Sequence, residues 1–235
     1  MLVEMISYTV FMPPKSVPFR PVLGASQMGS LAEFAGRACY ASWSRPNKDT
    51  DTPESYVRTN LLGKGHLSVL EHGSVGFYLS GVSRSLTHEL VRHRHFSYSQ
   101  LSQRYVSMID AERTTPPSLE GCPEQQRQLD QVWEHSQAVY ISLAEYLHVE
   151  CGTSRKEAFE AARAVLPNMT PTSIVVTGNL RSWLEFLLKR GSKYADKEIY
   201  ALAVEVWQQL HRVCPEVFKN VVFDEAGNLA LRLAS

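Results

Sequence analysis

Neither sign of charge is in excess: Lys plus Arg and Asp plus Glu number 24 each in 235 residues. A bulk electrostatic pull toward nucleic acid or an anionic membrane is thereby absent, and any basic patch must be local. Long apolar runs are missing too. None approaches the ~18 residues that span a bilayer. The start, MLVEMISYTVFMPPK, carries an early glutamate and no basic segment ahead of a long apolar run, so it does not read as a signal peptide. Cysteine is sparse. Cys39, Cys122, Cys151 and Cys214 are widely scattered, with no CxxC pair, which excludes a disulfide-dense framework. A reduced, cytoplasmic setting is the simplest account. Internal repeats, low-complexity tracts and an evident linker are also lacking, and 44% apolar against 20% charged residues can bury a sizeable core.

What is present reads as helices interrupted by strands. Leu31, Phe34, Ala35, Ala38 and Cys39 recur at helical spacing within residues 30–42 and predict an apolar face. The polar stretch 44–53 reads as a loop, with Thr52-Pro53 as cap and first turn of a helix that ends near Gly63 and Gly65. Val75, Phe77 and Leu79 alternate on one face of a strand. Ser83 caps a helix through Leu86, Leu90 and Val91 that runs into a basic segment.

The longest helix lies between Pro123 and Cys151, with Leu129, Trp133, Tyr140, Leu143 and Leu147 on its stripe. Another starts at the capping box Ser154-x-x-Glu157 and stops before Pro167. SIVVTGN (173–179) reads as a buried strand turning at Gly178, followed by helices at about 180–190 and 196–213, then a weak strand and a frayed tail. The expectation is one α+β domain over residues 1–235, with helices around a mainly antiparallel sheet.

The basic segment, RHRHFSYSQLSQR at 92–104, stands out against the neutral background. From Arg84 to Arg104 there are four arginines and a single acid, Glu89. Arginine stays charged and offers a planar fork of donors matched to phosphate oxygens. Serine hydroxyls and glutamine amides add neutral partners for a base or sugar. An anion site for a phosphorylated ligand follows. Two other readings stay open: a solvated helix face, or a platform for single-stranded nucleic acid built on Phe96, Tyr98 and Tyr105.

Other motifs fail on spacing. His88-Glu89-Leu90-Val91-Arg92 begins like HExxH, but Arg92 replaces the second histidine and His93 comes one position late, so no metal is expected. Gly63-Lys64-Gly65 lacks the remaining residues of a P-loop, no GxGxxG follows a strand, and GSVG (73–76) suits a turn into a strand better than an RNA-binding loop.

Arg92-His93-Arg94, seven residues, then Ser102 matches the RHR-x7-S signature of the flavin-dependent thymidylate synthases. EFAGRACYASWS, GHLSVLEH, SRSLTHELVRHRH, AARAVLP and IVVTGNLRSW also look like blocks of that family, in its order. The resemblance covers nearly the whole chain apart from 107–125 and the tail. It implies reductive methylation of dUMP to dTMP, with methylenetetrahydrofolate as carbon donor, FAD as hydride carrier and NADPH as reductant. It also implies a homotetramer whose active sites are shared between subunits, with no nucleic acid, membrane or metal as partner.

Position by position, the resemblance gives Glu89, Arg92, Gln100, Leu101, Ser102, Gln103, Arg104 and Arg163 to dUMP. It gives His66, Ser68, Arg92, His93, Arg94, Asn179, Arg181 and Glu185 to FAD, with Arg92 serving both ligands. The histidines are expected to stack on or hydrogen-bond to flavin and folate rather than act as bases. Classical thymidylate synthases attack C6 of the uracil ring with a cysteine. Here the matched polar blocks hold no cysteine except Cys39, on the expected apolar helix face. Activation of the ring then calls for a fixed cation that stabilises negative charge at N3 and O4, which by resemblance is Arg190. Its position also suits an interaction with the C-terminus of its helix. Two departures are visible: Glu185 stands where other members place Asn or His, and Glu89 where some place Gln.

Overall fold

The computed structural model describes residues 1–45 and 47–233. Strand β1 is Leu2–Tyr8, helix α1 is Gln27–Ala38, and α2, Pro53–Tyr56, continues as π-helical turns over Val57–Gly63. Strand β2 (Ser74–Ser83) leads directly into α3 (Arg84–Leu90), and β3 (Phe96–Gln100) follows. Helix α4 (Pro123–Glu145) continues as π-helical turns to Glu150, ahead of α5 (Arg155–Ala162). Then come β4 (Pro171–Asn179), α6 (Leu180–Arg190), α7 (Lys197–Val213) and α8 (Pro215–Phe218). Strands β5 (Val221–Phe223) and β6 (Leu229–Leu231) close the chain as an antiparallel pair. The main sheet is four-stranded and antiparallel in the order β1-β2-β4-β3, with helices around it, which is the α+β class read from the sequence.

Two compact units divide the chain. One comprises Met1–Leu2, Tyr78–Arg92 and Tyr98–Val175; the other comprises Val3–Phe77, His93–Ser97 and Val176–Ser235. Strands β2, β3 and β4 each pass from one to the other, and the boundary at Arg92–His93 falls inside the RHR motif.

The first unit packs around α4. Met108, Tyr140, Ala144 and Ala162 are buried together, with Leu101, Phe159 and Leu166 against them. The Gln137 amide donates to the carbonyls of Met108, Ile109 and Ala111 at 3.2, 3.0 and 2.9 Å, pinning the irregular chain beyond β3 to the helix. The α5 capping box forms as expected: Ser154 Oγ accepts from Glu157 N at 3.3 Å, and Ser154 N donates to the Glu157 carboxylate at 3.0 Å.

The second unit is built on aromatic contacts. Trp183 sits 5.0 Å from Phe77 and 4.5 Å from Phe96, centroid to centroid, both edge-on, and its indole N–H donates to Val75 O at 3.0 Å. Strand β1 is an edge, and Gln209 of α7 occupies part of its open ladder, accepting from Met5 N at 3.0 Å and donating to Val3 O at 2.8 Å.

Several expectations are corrected. Strands β1 and β3 were not expected: the helix from Ser83 stops at Leu90, and FSYSQ is extended. Gly178 lies inside β4 and makes no turn. A Cβ there would overlap the Phe96 ring, so the glycine serves close packing. Strand β4 also alternates in burial, where full burial was expected. Pro46 of the expected loop and Ala234–Ser235 of the expected frayed tail lie outside the described residues.

The predicted apolar face of α1 is not its buried face. Met28, Ala32, Glu33, Gly36 and Arg37 are buried, while Ala38 and Cys39 are exposed. The cause is an ion cluster. Glu33, with no exposed side-chain surface, accepts from Arg37 Nε at 2.7 Å and Arg45 Nε at 2.8 Å. Phe34 turns instead into a ring group with Phe11, Phe19 and Trp43. Removing the shared carboxylate strands two cations that the fold has desolvated. Glu33→Ala should therefore cost about 3–5 kcal/mol in urea unfolding; a loss below 1 kcal/mol contradicts that account.

Candidate active site

The expected ligand residues divide between the two units. All eight nucleotide positions (Glu89, Arg92, Gln100, Leu101, Ser102, Gln103, Arg104, Arg163) belong to the first unit. His66, Ser68, His93, Arg94, Asn179, Arg181, Glu185 and Arg190 belong to the second.

In the first unit, β3 delivers its end to a tight turn. Leu101 N donates to Ser173 O at 2.9 Å, anchoring the turn to β4. Ser102 O then accepts from Tyr105 N and Val106 N at 3.2 and 3.0 Å, and Ser102 Oγ accepts from Arg104 N at 3.4 Å. Gln100 is held by Thr87 Oγ1 at 3.0 Å and Thr172 Oγ1 at 3.4 Å, two partners absent from the sequence reading. Tyr98 donates to Leu90 O at 2.8 Å, tying β3 back to α3, and burial pushes its hydroxyl up to about 12.

Arg104 has an acid after all. Its Nε donates to Glu160 at 2.7 Å, across 56 residues of sequence, with 38% and 46% of the two side chains exposed. An exposed pair of this kind is weak enough for a ligand phosphate to compete with. Arg92, Arg94 and Arg163 have no carboxylate within 4 Å among the described residues.

In the second unit, Arg190 Nε donates to His93 Nε2 at 3.1 Å. That ring nitrogen acts as acceptor, so His93 in this arrangement is neutral with its proton on Nδ1. The imidazole is itself wedged edge-on against Phe186 and Phe96, at 5.2 and 6.2 Å. Asn179 is the N-cap of α6, its Oδ1 accepting from Ser182 N at 2.8 Å and Ser182 Oγ at 2.9 Å. Arg181 bridges Glu71 at 2.7 Å and Glu185 at 3.2 Å, and these two acceptors raise its already high pKa. Glu185 thus has a partner within its own helix.

A cavity of about 290 Å3 is lined by Glu71, His95, Asn179, Arg181, Ser182 and Glu185. A second, of about 310 Å3, includes Tyr56, Asn60, Lys64 and His66. Each lies at the lower edge of ligand pockets, ~300–1,000 Å3, with room for part of a dinucleotide. In the first cavity the Asn179 amide, the Ser182 hydroxyl, the His95 imidazole and the Arg181 guanidinium form a donor set that suits part of a flavin dinucleotide.

The remaining readings weaken. Phe96 packs on Trp183 and the Tyr98 hydroxyl is tied down, so of the three proposed stacking aromatics only Tyr105 is largely exposed. No group of three or more His, Cys, Asp or Glu that could hold a metal ion occurs among the described residues, and no helix among them is long and apolar enough to cross a membrane. Cys214 is buried, and that burial pushes its thiol up to about 12, out of the nucleophilic range.

Comparison with known proteins identifies the family. A family described as "Thymidylate synthase complementing protein" matches residues 23–216. Over 224 residues the chain is 50% identical to a protein of Mycolicibacterium gilvum named flavin-dependent thymidylate synthase, and 49% identical to one of the same name in Mycobacterium avium. Each match covers 93% of this chain and 88% of the relative. A protein of that name from Mycobacterium tuberculosis is 48% identical over the same lengths.

Because Arg181 keeps Glu71 when Glu185 is lost, and all three side chains are partly exposed, Glu185→Gln should move Tm by less than about 2 °C. A larger fall would show that Glu185 holds more than Arg181.

Proposed function

This chain belongs to the flavin-dependent thymidylate synthase family, and we propose that it methylates dUMP reductively to dTMP. Methylenetetrahydrofolate gives the carbon, NADPH is the reductant, and FAD, when bound, accepts and passes on the hydride. The observation that carries the proposal is the orientation of Arg190 by a neutral imidazole. A guanidinium held in place needs no reorganisation to stabilise negative charge at N3 and O4 of the uracil ring. His93 accepts one of its N–H groups and fixes the plane of the rest. The ring is thereby activated without a sulfur nucleophile.

The nucleotide's phosphate and sugar are assigned to the 100–104 turn and Arg163. Ser102 contributes its hydroxyl as a binding group, not a nucleophile, because that hydroxyl accepts from Arg104 N and meets no general base among the described residues. Arg104 exchanges Glu160 for phosphate oxygens. His66, Ser68, Arg94, Asn179 and Arg181 are assigned to the flavin, with Arg92 serving both ligands. The chain works as a homotetramer whose active sites take residues from more than one subunit, in the cytoplasm and without a metal.

Purified protein should be yellow or reconstitutable with FAD, with NADPH oxidation that responds to dUMP. Arg190→Ala should abolish dTMP formation while FAD content, read from the flavin absorbance, is unchanged; normal turnover refutes the role. Arg104→Ala should weaken dUMP binding by about ten- to a hundredfold, the loss of a charge-assisted hydrogen bond. Unchanged calorimetric affinity would show that Arg104 points elsewhere.

A further inference from the structure

Arg84 has no part in any assignment above, yet its surroundings are unusual. It is the first residue of α3, and its backbone is fixed on both sides: Arg84 N donates to Thr170 O at 3.0 Å and Ser85 N to Asn168 O at 3.2 Å. Those acceptors lie in the turn just beyond Arg163. Its guanidinium donates from Nη2 to Leu101 O at 2.7 Å, the residue before Ser102. Nε is shut away from solvent with no partner among the described residues. Of five N–H donors, one has an acceptor.

No carboxylate lies within 4 Å of Arg84 among the described residues. The charge that acts on it is a like charge, Arg163: burial first and Arg163 second hold its pKa below the usual arginine value. Such a group still stays protonated at neutral pH. Two cations next to one another, one partly desolvated, cost free energy in the empty protein. An anion received by both removes that cost, and a phosphate monoester carries up to two charges and accepts from both guanidinium groups at once.

We propose that Arg84 is a binding residue for the phosphate monoester of the nucleotide, acting beside Arg163 while its Leu101 contact sets the position of the 101–104 turn. This rests on the dUMP reading above. The Nη2 bond to Leu101 O holds the fork in one orientation, and the remaining Nη donors take the phosphate.

The test compares dUMP with deoxyuridine, which lacks the phosphate, by calorimetry on the FAD-loaded protein. In Arg84→Met, dUMP affinity should fall about ten- to a hundredfold while deoxyuridine, which meets the turn through its sugar alone, loses several-fold less, so the preference for dUMP over deoxyuridine shrinks. Inorganic phosphate should also compete less well against dUMP in the variant. An equal loss for both ligands would reduce Arg84 to a tether for Leu101 and overturn the proposal. So would an unchanged dUMP affinity. Should Arg84→Met fail to fold, Arg84→Lys is read instead: it keeps the charge and loses the fork, and the preference for dUMP should still drop several-fold; a preference equal to that of the parent overturns the proposal. Absence of dUMP binding in the unmodified protein would instead sink the functional reading itself.

Discussion

A guanidinium group cannot escape burial by giving up its proton, so every arginine the fold withdraws from water needs an acceptor inside it or a ligand from outside. This chain shows both solutions. Arg37 and Arg45 share the buried Glu33, and Arg113 has Asp130. Arg84, whose Nε is buried, has no such acid among the described residues, and its neighbour Arg163 is an exposed like charge. Formal neutrality of the chain therefore conceals an uneven distribution. Carboxylates pair with Arg37, Arg45 and Arg113, whereas Arg84, bonded to Leu101 O, faces the like charge of Arg163.

Arg190 donates from Nε to an imidazole nitrogen, a contact that orients that edge of the guanidinium. The aromatic shell of Phe96 and Phe186 around His93, itself packed on Trp183, holds the imidazole still. Sheet, ring cluster, imidazole and cation form one chain of dependence within the second unit, from the packing of the core to the group proposed to act on substrate.

What could be read from the sequence followed the range of the interaction. Local devices were legible: Ser83, Ser154 and Thr52 cap the helices assigned to them, and Pro53 starts its helix. Long-range pairings were not. Glu160 reaches Arg104 across 56 positions, and Thr87 and Thr172 meet on Gln100 only after β3 and β4 are in place. Strand β3 was hidden because RHRHFSYSQ reads first as charge, and only the alternation of Phe96, Tyr98 and Gln100 betrays it. The α1 face was misjudged because apolar periodicity assumes that charge lies outside, whereas Glu33 and Arg37 satisfy each other inside. The site residues came from resemblance to a family. Residue types alone suggested a phosphate site, but would have left Arg163 as an ordinary surface residue, Arg190 as a helix C-terminal arginine and Arg84 unassigned.

The central claim is that fixed positive charge, not a thiol, makes the pyrimidine reactive. Cys39 and Cys151 are exposed and Cys122 is partly so, while Cys214 is buried with its thiol held protonated. The direct test is dTMP formation by FAD-loaded protein in which Cys39, Cys122 and Cys151 are all replaced by Ser. Turnover within a few-fold of the parent is the predicted result; abolition of dTMP formation in a folded, flavin-bound variant would contradict it.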